Sequence, residues 1–145
     1  MLTYLDSSLL GRAYLTDEPG HEQAVALLED PDVVLVTSTL TRIEATGLLV
    51  RAARAGRCDE GVLLEALRAD LGADGPVTTL RSSQHDVERL ALEITAAHGV
   101  RALDALHIAV AQLAARALAE GEPVAFATRD KAQADVAAAY GFVCL

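Results

Sequence analysis

The feature that most constrains this chain is the regular return of short aliphatic runs, each separated from the next by a stretch with helical spacing. Thr3–Leu5, Val33–Val36, Val77–Leu80, Val124–Ala127 and Phe142–Leu145 are the runs. The continuous VVLV of the second is the pattern of a strand buried on both faces, since a strand open to water on one side would alternate polar and apolar residues. Between the runs lie predicted helices: from Ser7 or Ser8 as N-cap through Leu15, then His21–Glu29, Leu40–Ala55, Glu60–Leu71, Gln84–His98, Ala102–Ala119, and from Asp130 through Tyr140. Strands that alternate with helices join by right-handed crossovers, which cover both faces of a parallel sheet. The expected fold is α/β, three layers (α/β/α) around a mainly parallel five-stranded sheet.

The length of 145 residues suits a single domain, 1–145, with no internal repeat, linker or low-complexity segment. With 52% hydrophobic residues, 3% aromatic and no Trp, the core must be aliphatic and finely packed. No apolar run reaches the roughly 18 residues of a membrane span, and MLTYLDSSLL lacks the basic and apolar regions of a secretory signal, so a cytoplasmic protein without a membrane partner is expected. Cys58 and Cys144 have no Cys or His nearby at metal-ligand spacing, which argues against a zinc site or a disulfide framework. The net charge of −9 argues against a protein that holds nucleic acid by its overall field alone.

Open parallel sheets bind ligands beyond the carboxyl ends of their strands. Asp6 follows the first run directly, Asp130 follows the fourth within a few residues, and Glu44 and Asp104 lie early in helices that can face the same rim. Taken singly, each has a structural reading: Asp6 and Asp130 as caps, Asp104 as an acid at a helix N-terminus, Glu44 on a solvated face. Four acids gathered at one edge would repel one another unless positive charge lay among them, and a pair of oxygen-seeking divalent ions meets that need. Asp6, at the strand end, is the expected bridging ligand. Glu44 and Asp104 would complete the first site, and Asp130 would serve a second or weaker ion.

Arg42, Arg101, Arg129 and Lys131 stand beside these acids in sequence, where they can either hold the phosphates of a ligand or form ordinary surface ion pairs. Arg51, Arg54 and Arg57 read as a solvated helix end or a protein contact. His107 continues the apolar stripe of its helix, so a packed, hydrogen-bonded histidine is expected rather than a ligand. Tyr4 and Tyr14 read as core or interface aromatics. A receiver domain would need paired acids after the first strand, a haloacid-type phosphatase D-x-D, and a dinucleotide binder G-x-G-x-x-G; none is present.

Four segments in this order, YLDSSLL, TSTLTRIEATGLL, LDALHIAVA and FATRD, together resemble the PIN-domain superfamily, and within it the VapC-type toxins of bacterial toxin–antitoxin pairs. The resemblance runs over nearly the whole chain. It implies a PIN-like fold in which Asp6, Glu44, Asp104 and Asp130 are the acidic quartet and Ser7 and Thr128 the polar residues beside it. It further implies hydrolysis of RNA phosphodiesters with Mg²⁺, or Mn²⁺ in its place, a homodimer, and a cognate antitoxin. The alternative is a non-catalytic PIN-like binding module whose acids are structural and which acts through a protein partner.

Overall fold

The computed structural model describes residues 1–145. Five strands, β1 (Leu2–Leu5), β2 (Val34–Ser38), β3 (Val77–Leu80), β4 (Val124–Ala127) and β5 (Val143–Cys144), form one sheet in the order β3-β2-β1-β4-β5. Every pairing is parallel, so the sheet is parallel throughout rather than mainly so. The chain builds outward from β1 through β2 to β3, then crosses back to lay β4 on the other side of β1. The strand order therefore reverses between β1 and β4, and at such a point the connections leave in opposite directions and open a crevice at the carboxyl ends.

The helices are α1 (Ser7–Tyr14), α2 (His21–Glu29), α3 (Thr39–Arg54), α4 (Glu60–Asp70), α5 (Gln84–His98), α6 (Ala102–Val110), α7 (Arg116–Leu118) and α8 (Lys131–Ala139). The strands' period of two sends alternate residues into two separate cores. Tyr4, Val36, Leu80 and Phe126 pack with Ile94 and Ile108 of α5 and α6. Leu5, Leu35, Val77 and Ala127 pack with Leu9 and Leu49 of α1 and α3. The three-layer expectation holds, and its aliphatic composition is legible in close approaches such as Gly11, where an added Cβ would lie 2.9 Å from Leu48 Cδ1.

Three local expectations need correction. The N-cap of α1 is Asp6 rather than Ser7 or Ser8, because Asp6 Oδ1 accepts the Leu9 N–H at 2.9 Å. Helix α3 begins one residue early, at Thr39, with Ser38 as its cap. The long helix predicted from Ala102 to Ala119 is interrupted by a π-helical turn at Ala111–Ala115, a widening that the uninterrupted Ala/Leu spacing does not announce.

Candidate functional site

Two strand ends and two helix starts meet at the crevice between β1 and β4. Asp6 leaves β1 with its backbone N–H still donating to Ala127 O of β4 at 3.1 Å, so the sheet itself fixes its Cα. Its carboxylate is only 4% exposed and is gripped on both oxygens. Ser8 Oγ donates across Oδ1 and Oδ2 at 2.8 and 2.9 Å, Leu9 N–H donates to Oδ1, and Thr128 Oγ1 lies 2.7 Å from Oδ2. Burial raises the Asp6 carboxyl above its ordinary range, against the opposite pull of these hydrogen bonds.

Glu44 sits in the second turn of α3, where its carboxylate Oε1 is 2.6 Å from His107 Nε2 of α6. The other ring nitrogen, Nδ1, is 2.9 Å from the buried Tyr4 hydroxyl. Burial keeps the Tyr4 phenol neutral, so it has a proton to give. Assigned from the network, Tyr4 donates to Nδ1 and Nε2–H donates to Glu44. Burial works to raise the Glu44 carboxyl, but the hydrogen bond from His107, aided by one from Ser7, outweighs it and leaves Glu44 below its ordinary range. The sequence expectation of a packed, hydrogen-bonded His107 is met, with the added feature that its partner is one of the four acids.

Asp104 and Asp130 come together around Arg101. The guanidinium Nε is 3.0 Å from Asp104 Oδ2, and a terminal nitrogen is 2.6 Å from Asp130 Oδ2. Asp130 also caps α8, its Oδ1 accepting Gln133 N–H at 3.1 Å. The cap reading and the site reading of this residue are thus compatible, since Oδ2 is left for other partners. As it stands, the site is two linked halves: no three acidic, histidine or cysteine side chains converge as a ready cluster for a metal. The donor chemistry nevertheless fits a hard divalent cation, for all four groups offer carboxylate oxygens. A cationic group already lies between two of them, in a side chain that is 76% exposed.

Of the other cations, Lys131 pairs with Asp135 at 2.7 Å, while Arg42 and Arg129 are exposed. Arg57 is bound rather than merely solvated: it grips Asp17 and Glu18 and ties the α1–α2 loop to the end of α3. Tyr14 is buried and donates to Asp70 at 2.5 Å, a core role. Sequence reasoning missed Ser8 as an Asp6 partner, and it missed Gln133, which is wholly buried against Thr128. A glutamine on the face of α8 that also carries Val136 and Ala137 was the available signal.

In fold, the chain is similar to the Mycobacterium tuberculosis toxin VapC20, which cleaves the sarcin–ricin loop. The TM-score is 0.62 at 21% identity, over 97% of this chain and 96% of that one. It is also similar to VapBC-1 from nontypeable Haemophilus influenzae, with a TM-score of 0.58 at 15% identity over 100% of this chain and 97% of that one. No curated protein is matched by the sequence. The PIN domain family model matches residues 3–139, from β1 to the last turn of α8, and by that match the chain belongs to the PIN domain family.

Proposed function

We propose that this chain is a divalent-metal-dependent endoribonuclease and the toxin of a toxin–antitoxin pair, with Asp6, Glu44, Asp104 and Asp130 holding Mg²⁺ or, alternatively, Mn²⁺. The observation that carries the reading is Asp6, a carboxylate buried at the reversal point of the sheet and held there by four contacts. Ionised carboxylates are costly to bury, and folds keep such costs where chemistry needs them. The likeness to a toxin that cleaves the sarcin–ricin loop and to VapBC-1 supports an RNA substrate and an antitoxin partner.

Divalent ions of this kind, when bound, supply an activated water and neutralise charge at the phosphorus. The chain's own residues do the rest. Ser8, Leu9 and Thr128 stop the Asp6 carboxylate from rotating, and His107 does the same for Glu44. Arg42 and Arg129 are exposed cations near the rim that suit phosphate contacts, with Arg101 and Lys131 able to join them by releasing their acids. No protein nucleophile is needed.

A homodimer is part of the proposal. Ile43 is 69% and Leu103 45% exposed, each one turn from Leu40 and Leu106, which line a shared cavity of about 470 Å³ bounded by the start of α3, the β3–α5 connection with the start of α5, and α6. Apolar residues grouped in this way suit a second copy of the chain. The Arg101 pairing with Asp104 and Asp130 favours the competing reading, a non-catalytic module with structural acids. Both readings are tested by incubating the purified chain, free of antitoxin, with total RNA in Mg²⁺, Mn²⁺ or EDTA, beside Asp6→Asn. Cleavage that needs metal and is lost in Asp6→Asn is expected. Cleavage undiminished by EDTA, or equal in both proteins, overturns the metal mechanism and promotes the binding module.

A further inference from the structure

Thr128 Oγ1 is the junction of the site, and its hydrogen bonds do not balance in one of the two orientations open to Gln133. The hydroxyl lies 2.7 Å from Asp6 Oδ2 and 2.7 Å from the end of the Gln133 side chain, and it accepts Asp130 N–H at 3.0 Å. The oxygen and nitrogen of a carboxamide exchange places by a half-turn about the last side-chain bond, and only the network tells them apart. With Oε1 towards Thr128, a single hydroxyl proton faces two acceptors, while the buried Nε2 has no partner at all. With Nε2 towards Thr128, its N–H and that of Asp130 fill the two lone pairs of the hydroxyl, and the one proton goes to Asp6. A buried donor without an acceptor is the costlier fault, which favours the second arrangement.

We infer that Gln133 is a positioning residue that presents its Nε2–H to Thr128 and thereby commits the Thr128 hydroxyl proton to Asp6 Oδ2. The inference rests on the proposed ribonuclease reading only for its effect on cleavage; the orientation of the carboxamide stands on the geometry. Gln133 is fully buried, Thr128 is 5% exposed, and both belong to the short connection and first turn that follow β4. The Gln133 side chain therefore reaches Asp6 through one intervening hydroxyl, and the influence of that side chain should pass through Thr128.

Two measurements on the full chain test this. In metal-free, nitrogen-15-labelled protein, the Gln133 side-chain amide protons are expected to exchange more slowly than those of Gln84, which is exposed. Their resonances should move in Thr128→Val and stay in Thr128→Ser. In cleavage assays, Gln133→Met, which keeps the volume and removes the donor, should lower kcat about 10- to 100-fold with KM near wild type, the range found when a partner behind a ligand is removed. Thr128→Val should do the same and the double variant no more, whereas Thr128→Ser keeps activity. Unmoved amide resonances in Thr128→Val overturn the orientation. Moved resonances with unchanged kcat per folded molecule in Gln133→Met overturn the positioning role. If the wild type cleaves no RNA, the ribonuclease reading fails while the resonances still decide which atom faces Thr128.

Discussion

His107 Nε2 stands 2.6 Å from Glu44 Oε1, so a buried imidazole on α6 fixes the direction of an acid carried by α3. The link joins two helices that otherwise meet across the edge of a cavity. Its far end is anchored in the sheet, because Nδ1 is paired with Tyr4 of the central strand. A chain of three side chains thus transmits the rigidity of β1 to the rim.

Tyr4→Phe tests that chain with little change in shape. The ring stacks on Phe126, with centroids 5.2 Å apart, and that packing survives the substitution. What is lost is the proton given to His107 Nδ1, leaving a buried polar nitrogen unpaired at a cost of about 1–3 kcal/mol. The expected result is that loss in chemical denaturation, together with reduced cleavage from a loosened Glu44. Unchanged stability would show that the hydroxyl and imidazole are not bonded in solution.

Arg101→Ala addresses the rim. Exposed ion pairs contribute little to stability, so the variant should fold normally. It leaves Asp104 and Asp130 facing each other without a cation, which lowers the melting temperature slightly in EDTA and enlarges the rise produced by Mg²⁺. Thermal melts with and without Mg²⁺ read both effects. A Mg²⁺-induced rise smaller than that of wild type would instead assign Arg101 a part in holding the ion or its ligands.

The alternation of strands and helices was readable because parallel strands covered on both faces have no polar face to obscure the pattern. Asp6 and Asp130 were readable because strand ends are fixed by the runs that precede them. The pairing of Glu44 with His107 was not, since the two are 63 residues apart in sequence and meet only through the crossing of α3 and α6. Gln133 was obscure for a related reason: its spacing from Asp130 marks a helix turn, while its burial depends on the packing of α8 against the sheet. The all-parallel outcome at β5 likewise depends on a two-residue strand pairing with Ala125 and Phe126, too short to have a direction in sequence.

Ile43→Lys, or Leu103→Lys, should turn the proposed dimer into a monomer. Both side chains are largely exposed in the single chain, so a charge there costs little in the monomer but is buried unpaired in an apolar interface. Sedimentation at micromolar concentration without antitoxin is the measurement. A wild-type protein that is strictly monomeric would refute the dimer and leave the catalytic proposal standing.

Asp6→Asn and Glu44→Gln should shift stability in opposite senses at neutral pH. Burial raises the Asp6 carboxyl above its ordinary 3.8, so the folded state takes up a proton more readily than the unfolded chain, and ionised Asp6 destabilises the fold at neutral pH. That penalty fades as pH falls through the raised value towards the ordinary one. Asp6→Asn removes it and should gain about 1 kcal/mol at neutral pH in EDTA, a size usual for relief at a functional residue. Glu44 lies below its ordinary 4.5 because His107, aided by Ser7, outweighs burial. Its ionised form therefore stabilises the fold above that ordinary value, and the contribution is lost as pH falls through the lowered one. Glu44→Gln should accordingly be less stable than wild type at neutral pH. Both differences should shrink in acid, as each carboxyl becomes neutral in the wild type. In Asp6→Asn, the new Nδ2–H needs an acceptor at Thr128, so the Thr128 hydroxyl turns to Gln133 and the carboxamide flips to receive it, which leaves the buried Nε2 without an acceptor and offsets part of the gain. Denaturation curves across the acid range, with the Gln133 amide resonances followed in parallel, test the whole set. Two variants that moved stability in the same direction at neutral pH would contradict the assignment of opposite environments to Asp6 and Glu44.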